Sequence, residues 1–139
     1  MRLTENEALA RLMSHDHGVL CTVHPERGVD AVPVAYAVDG ESYVGIPVDR
    51  VKAKATDRLQ RERNLEADPR ATLLIEHWDP ADWSRLWWVR AQLRWEPDAG
   101  SDRQAALAAL LGRRYPQYRD QPFVRVLVLR VVGVSGWAA

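Results

Sequence analysis

One cysteine, one phenylalanine and two lysines are the scarcities of this 139-residue chain. A lone Cys21 cannot form an intrachain disulfide, which points to a reducing cytoplasm as its setting. Its mid-strand position reads as a buried, inert thiol. Long apolar runs are missing too, and nothing approaches the roughly 20 apolar residues of a membrane span. The opening Met1-Arg2-Leu3-Thr4-Glu5-Asn6-Glu7 lacks the apolar centre of a signal peptide. Net charge is zero, with 19 basic and 19 acidic residues, which argues against a large positive face and a nucleic-acid partner. No G-x-G-x-x-G, phosphate-loop, H-E-x-x-H, C-x-x-C or G-x-S-x-G pattern occurs, so dinucleotide, zinc-protease and serine-hydrolase readings have no motif to stand on.

What is present fits one globular domain spanning residues 1–139, with 47% hydrophobic residues. Six tryptophans bring flat area and an N–H each, which suits interfaces and aromatic-lined pockets as well as cores. Thr4-Glu5-Asn6-Glu7 predicts a capping box and a helix to about residue 15. Strands are predicted over 18–23 and 29–38, and Asp39-Gly40 signals a hairpin into a third over 42–48. A helix over 56–67 stops before Asp68-Pro69. Strands follow over 71–78 and 86–96, then a helix opened by a Ser101–Gln104 capping box, then a strand over 123–132. In 86–96 Trp87, Val89, Ala91, Leu93 and Trp95 alternate with Trp88, Arg90, Gln92 and Arg94. Six strands without regular helical crossovers predict a mainly β fold, a closed six-stranded antiparallel β-barrel with peripheral helices.

Both lysines sit in Lys52-Ala53-Lys54, and with Arg50, Arg58, Arg61 and Arg63 they make six cations in fourteen residues. Such a run at a strand-to-helix junction can converge on an anion. A solvated basic helix face is the competing reading, and for Arg50, Arg58 and Arg63 it is the favoured one. Arg61 and Asn64, three apart, share a helix face. Pro33 interrupts an otherwise good strand and predicts an edge or a bulge there. Trp88 stands on the polar face of its strand, where a wide aromatic suits a subunit interface or a ring-stacking wall, or lies under a loop. His15-Asp16-His17 falls at a helix-to-strand junction, where these are ordinary terminal residues, and no metal is expected there.

The order Asp49-Arg50-Val51-Lys52-Ala53-Lys54, Leu59-Gln60-Arg61-Glu62-Arg63-Asn64-Leu65, Asp68-Pro69-Arg70 and Asp82-Trp83-Ser84-Arg85-Leu86-Trp87-Trp88-Val89-Arg90 resembles the pyridoxamine 5'-phosphate oxidase-like split-barrel flavoproteins. Within them it is most similar to a small branch thought to use the deazaflavin coenzyme F-420. The resemblance runs from the first helix to Trp137. It implies a six-stranded antiparallel split β-barrel of the FMN-binding type, a homodimer with the cofactor at the interface, and phosphate binding by the basic segment. Arg61 stands eight residues before Pro69, where the family commonly has a phosphate-binding lysine. Backbone around Pro33 and Val34 is implied to face the cofactor ring. The implied cofactor-binding set is therefore Pro33, Val34, Lys52, Lys54, Arg58, Arg61, Asn64 and Trp88.

The longer connection holding Lys52 and Lys54 departs from the oxidase pattern. Six cations suit the deazaflavin's phosphodiester and carboxylate tail better than the single phosphate of FMN. The implied activity is hydride transfer between reduced deazaflavin and a small organic substrate. An FMN-dependent oxidase or reductase is the alternative, as is a non-catalytic flavin, deazaflavin or haem binding protein. Oxidation of pyridoxamine phosphate itself is disfavoured, since Trp137-Ala138-Ala139 is not followed by the segment that reads that substrate. No side chain is singled out as a catalytic acid or base.

Overall fold

The structure is a computed structural model that describes residues 1–49 and 58–139. The elements in chain order are α1 (Glu5–Ser14), β1 (His17–His24), β2 (Gly28–Ala35), β3 (Ala37–Val38), β4 (Tyr43–Asp49), α2 (Gln60–Ala67), β5 (Arg70–His77), β6 (Trp87–Trp95), α3 (Ser101–Arg114) and β7 (Phe123–Ala138). Short 3-10 turns, Trp83–Arg85 and Pro116–Tyr118, precede β6 and β7. The strands form one antiparallel sheet in the order β2-β1-β5-β6-β7-β4-β3.

Seven strands replace the expected six because the stretch over 29–38 breaks at Tyr36. Its first part, β2, lies at one edge of the sheet, and its second, β3, lies at the other. Only Tyr36 separates them, so Ala35 and Ala37 are at most about 7 Å apart. A flat seven-stranded sheet would hold its edges roughly 29 Å apart. The sheet therefore curls into a half-barrel whose two edges meet at one residue. Tyr36 is fully buried. Its hydroxyl donates to the Leu12 carbonyl at 2.5 Å, and its own carbonyl accepts from the Tyr115 hydroxyl at 2.6 Å.

Register decides which residues face inward. The rows Val34–Gly18, Val32–Leu20–Leu73–Ala91 and Asp30–Thr22–Ala71–Leu93 follow from the pairing of β2, β1, β5 and β6. Leu20, Leu73, Ile75, Val89, Ala91 and Leu93 are buried, together with Ile46, Val48 and Leu129 from the other half of the sheet. The alternation anticipated for β6 holds, with Trp88 half-buried and Arg90, Gln92 and Arg94 exposed on the outer face. Ala8 and Leu12 of α1 and Leu65 of α2 join the same core. Outside the sheet, Leu107 and Leu111 of α3 pack on Ala37, Phe123, Val126 and Val128 as a second cluster.

Local chemistry explains most element ends. Thr4 and Glu7 form the expected capping box at 3.1 and 3.2 Å. The β1–β2 turn is held by His24, whose Nδ1 accepts from the N–H groups of Glu26 and Arg27, both at 3.0 Å. Gly28 leaves that turn at φ 92°, a conformation that favours glycine. In the β3–β4 turn, Asp39 Oδ1 accepts from the N–H groups of Glu41 and Tyr43 at 2.9 Å. The left-handed residue there is Ser42, at φ 66°, rather than Gly40. α3 starts after Gly100, also at φ 92°, without the expected Ser101–Gln104 box. β7 runs on to Ala138, beyond the expected end at 132, because β6 offers it a partner as far as Trp87. α2 begins at Gln60; the expected start at residue 56 lies outside the described residues.

α2 is fastened by its polar residues. The buried Glu62 carboxylate takes both Arg125 Nε and Arg125 Nη2, and accepts from the Leu59 N–H at 2.8 Å. Burial alone would raise its pKa, but the Arg125 and Leu59 hydrogen bonds prevail and hold it below the ordinary glutamate range. A depressed folded pKa means stability present above the usual glutamate range and lost as pH falls through the folded value. Urea unfolding between pH 7 and pH 3 should show a loss of stability at the acid end that is smaller in Glu62→Gln. Arg125→Ala, which strands a buried carboxylate, should cost about 3–5 kcal/mol at pH 7.

Close packing gives a second measurable outcome. A Cβ at Gly45 would lie 2.8 Å from Leu107 Cβ, whereas one at Gly133 meets nothing within 4 Å. Gly45→Ala should push α3 off β4 and cost about 1–3 kcal/mol in urea unfolding. Gly133→Ala should stay within about 0.5 kcal/mol of the parent.

Candidate functional site at the open seam

The curl leaves one seam. β4 pairs with β7 along its length, but its other side meets β3 only at Val44 and Gly45. Beyond that point β4 faces the free edge of β2 with no ladder between them. In a strand the N and O of one residue point to the same side. The Pro47 carbonyl accepts from Arg61 Nη2, at a long 3.5 Å, so the N–H that proline lacks would also face the seam, where no strand misses it. Pro33, paired opposite Val19, stands on the edge strand β2, as its sequence context predicts.

A groove of about 260 Å³ opens beside the seam, lined by Thr22, Arg27, Asp30, Ala31, Val32, Gln60 and Arg61. One wall is a closed polar network. Asn64, fully buried on α2, donates to Thr22 Oγ1 at 3.0 Å and to Asp30 Oδ2 at 2.9 Å, and accepts from Gln60 Nε2 at 2.9 Å. Arg27 grips the same Asp30 at 3.2 and 2.8 Å. Arg27 first and Asn64 second hold the Asp30 carboxyl below the usual carboxylate range. These charges are spent on each other.

Arg61 is different. Burial pushes its guanidinium pKa down, opposed by the Glu62 and Asp49 carboxylates. Glu62 is engaged by Arg125. Among the described residues Arg61 Nε and Asp49 Oδ1 are buried without a hydrogen-bond partner. Tyr118 completes this corner; burial raises its pKa, and the nearby Asp49 carboxylate adds to the rise. A half-buried guanidinium whose Nε has no partner among the described residues can donate a charge-assisted hydrogen bond to an anionic group.

The remaining residues of the sequence-derived set divide as follows. Val34 is buried in the core, one residue along the strand from the exposed Pro33. Arg58 is exposed, pairs with Glu66, and lines a separate depression with Glu62, Trp95 and Arg125. Arg63 is exposed and donates to Gln60 at 3.3 Å. Trp88 lies on the outer face between Glu76 and Trp137, with the Arg90 guanidinium 5.3 Å from its ring centroid. Arg50, Lys52 and Lys54 lie outside the described residues. Asn64 shares the helix face of Arg61 as expected, but its amide is fully used inside the protein.

Thr22, Asp30 and Gln60 were missed from sequence. The Gln60–Asn64 spacing was readable, but Thr22 and Asp30 meet Asn64 only through the β1–β2 register. A second depression, of about 350 Å³, adjoins at Thr22 on the outer face of the sheet. Cys21, Val23, Val29, Leu93 and Val132 line it, with Arg70, Thr72 and Gln92. Arg70 is bound bidentately by Asp68, at 3.1 and 2.8 Å, and brings little free charge. That grip lowers the Asp68 pKa to about 2. No helix among the described residues is long and apolar enough to cross a membrane.

No family model and no curated protein matches the sequence. Solved structures do match the fold. An FAD-binding protein from Mesorhizobium loti superposes with TM-score 0.72 at 16% identity, covering 98% of this chain and 93% of its own. An FMN-binding protein from Syntrophomonas wolfei gives 0.69 at 14% identity, covering 97% and 89%. A candidate pyridoxamine 5'-phosphate oxidase from Corynebacterium glutamicum gives 0.59 at 17% identity, covering 100% and 98%. At these identities the likeness is one of fold, and this chain has the curled antiparallel half-barrel of flavin-binding and pyridoxamine 5'-phosphate oxidase-like split-barrel proteins.

Proposed function

We propose that this chain binds a phosphate-bearing flavin-type cofactor at the seam, and that the cofactor is the deazaflavin coenzyme F-420, used for hydride transfer to or from a small organic substrate. The observation that carries the reading is Arg61, a half-buried cation on the seam groove whose Nε is buried without a partner among the described residues. The fold shared with flavin-binding proteins supports it. Arg61 would hold an anionic group of the cofactor. The apolar outer-face depression, with Val23, Val29 and Val132, would shelter a planar ring beside the β2 edge that carries Pro33. The cofactor, when bound, supplies the hydride chemistry. The chain's own part is to orient it, neutralise its charge and exclude water.

Both depressions, of about 260 and 350 Å³, open to the surface, so a cofactor lying in them would keep one side uncovered, and a second copy of the chain could cover it. The outer face also leaves Val29, Leu74, Val132 and Trp137 exposed. A homodimer covering that face would complete the site.

Titration of purified protein with each cofactor, read by fluorescence, tests the binding. Arg61→Ala should weaken F-420 binding about ten-fold or more, since a well-formed charge-assisted hydrogen bond contributes about 1.5–3 kcal/mol. Lys52→Ala and Lys54→Ala should weaken F-420 binding less, with stronger salt dependence, and leave FMN nearly unaffected. Equal losses for both cofactors would leave a general phosphate site in place of tail recognition. Unchanged binding in all three variants, with circular dichroism intact, would return the basic run to a solvated face. Oxidation of reduced F-420 no faster than in a protein-free control, across candidate acceptors, would favour a carrier over an enzyme.

Light scattering at micromolar concentration, with cofactor present, should report twice the chain's mass. Leu74→Arg, on the exposed outer face, should shift it toward monomer and weaken cofactor binding together. A monomer in the parent protein would remove the shared-site arrangement.

A further inference from the structure

Three potential metal ligands converge at the end of the barrel where α1 passes into β1. His15 caps α1, its N–H bonded to the Arg11 carbonyl at 3.0 Å, and His17 opens β1. One ligand atom from each of His15, Asp16 and His17 lies within 4.8 Å of the others. The two imidazoles stack with centroids 5.5 Å apart and planes 28° apart. Asp16 Oδ1 sits 2.6 Å from His17 Nδ1, so these two atoms face each other, and an ion held between them would take the place of the shared proton. Behind them His15 meets the Trp87 ring edge-on at 5.4 Å, and His77 stacks on that ring at 6.3 Å.

The backbone carrying these groups is pinned from far along the chain. Arg114 donates to the Met13 carbonyl at 2.7 Å and to the His15 carbonyl, and the Tyr115 hydroxyl proton is shared between the Asp16 and Tyr36 carbonyls. The tripeptide is therefore a rigid base with movable side chains, His17 being 72% and Asp16 63% exposed. Metal bonds of about 2.0–2.2 Å place neighbouring ligand atoms roughly 3–3.5 Å apart. Asp16 Oδ1 and His17 Nδ1, 2.6 Å apart, need only part slightly to reach that spacing, and the His15 ligand atom lies within 4.8 Å of both. Arg114 and Arg11, whose guanidinium lies 4.9 Å from the Trp87 centroid, are the nearby opposing charges. Arg114 is committed to two carbonyls, and Asp16 supplies the compensating negative charge.

We infer that His15, Asp16 and His17 form a binding site for one divalent first-row transition-metal ion, with solvent completing its coordination. Two imidazoles and one carboxylate suit zinc, cobalt, nickel or copper and do not suit magnesium or calcium, which take oxygen ligands. Such an ion would clip the end of α1 to the start of β1. It is separate from the seam site, which α2 and the opposite end of β1 build.

The test is a cobalt titration of the untagged 139-residue chain by visible absorption, with zinc affinity measured by displacement. Saturable binding of one ion per chain is expected, unaffected by excess magnesium. His17→Ala and Asp16→Ala change exposed side chains, and each should weaken binding at least ten-fold. His24→Ala, which alters a histidine outside the cluster, should leave it unchanged. Zinc should also raise the thermal midpoint of the parent and not that of His17→Ala. Absence of saturable binding, equal affinity in His17→Ala and parent, or an equal loss in His24→Ala would each overturn the inference.

Discussion

The two free edges of the sheet are joined through one residue, and the rest of the architecture depends on that constraint. Tyr36 must link β2 to β3 across a gap that only a curled sheet can bring together. Its burial and its two hydrogen bonds, to the end of α1 and from the end of α3, lock the curl from both sides. The same arrangement cannot close the barrel fully, because β3 pairs with β4 through only two residues. Among the described residues an unpaired seam is the consequence, and Arg61 Nε is buried there without a hydrogen-bond partner.

Charge accounting separates structural polar residues from available ones. Asn64, Asp30, Arg27 and Gln60 satisfy one another, and Glu62 is closed by Arg125 and the Leu59 N–H. These groups position α2 and the groove wall. Arg61, on the same helix, has a buried Nε without a partner among the described residues while burial disfavours its charge. A site that destabilises an isolated cation is a site that favours an anion, and here the two effects meet in one guanidinium.

Much of the fold was legible because local signals agree with their surroundings. The Thr4 capping box, the β6 alternation and the Asp68-Pro69 stop all act within a few residues. Asp39-Gly40 marks the β3–β4 hairpin as expected, with the Asp39 carboxylate organising a turn whose left-handed residue is Ser42. The break at Tyr36 was invisible, since Val34, Tyr36 and Val38 keep a clean period-two pattern through it. All three are buried, so the pattern reported burial faithfully while the strand changed sheet edge. Of the candidate site, Arg61 and Asn64 were legible as one helix face. Whether each was free or spent was not, because Asn64's partners Thr22 and Asp30 lie on β1 and β2, and neither helix spacing nor charge pattern names them.

By itself the sequence determined the strand-rich composition, the α1 cap, the inward faces of the strands and the clustering of cations between β4 and β5. Each follows from side-chain periodicity or from the short reach of a capping group. The tertiary structure alone decided the seven-strand order, the seam, and the choice of Arg61 as its open charge. It also decided the convergence of His15, Asp16 and His17 over a backbone held by Arg114 and Tyr115. Those outcomes depend on which residues meet across long separations. Such meetings are settled by register and by the burial of charge, neither of which a run of neighbouring residues contains.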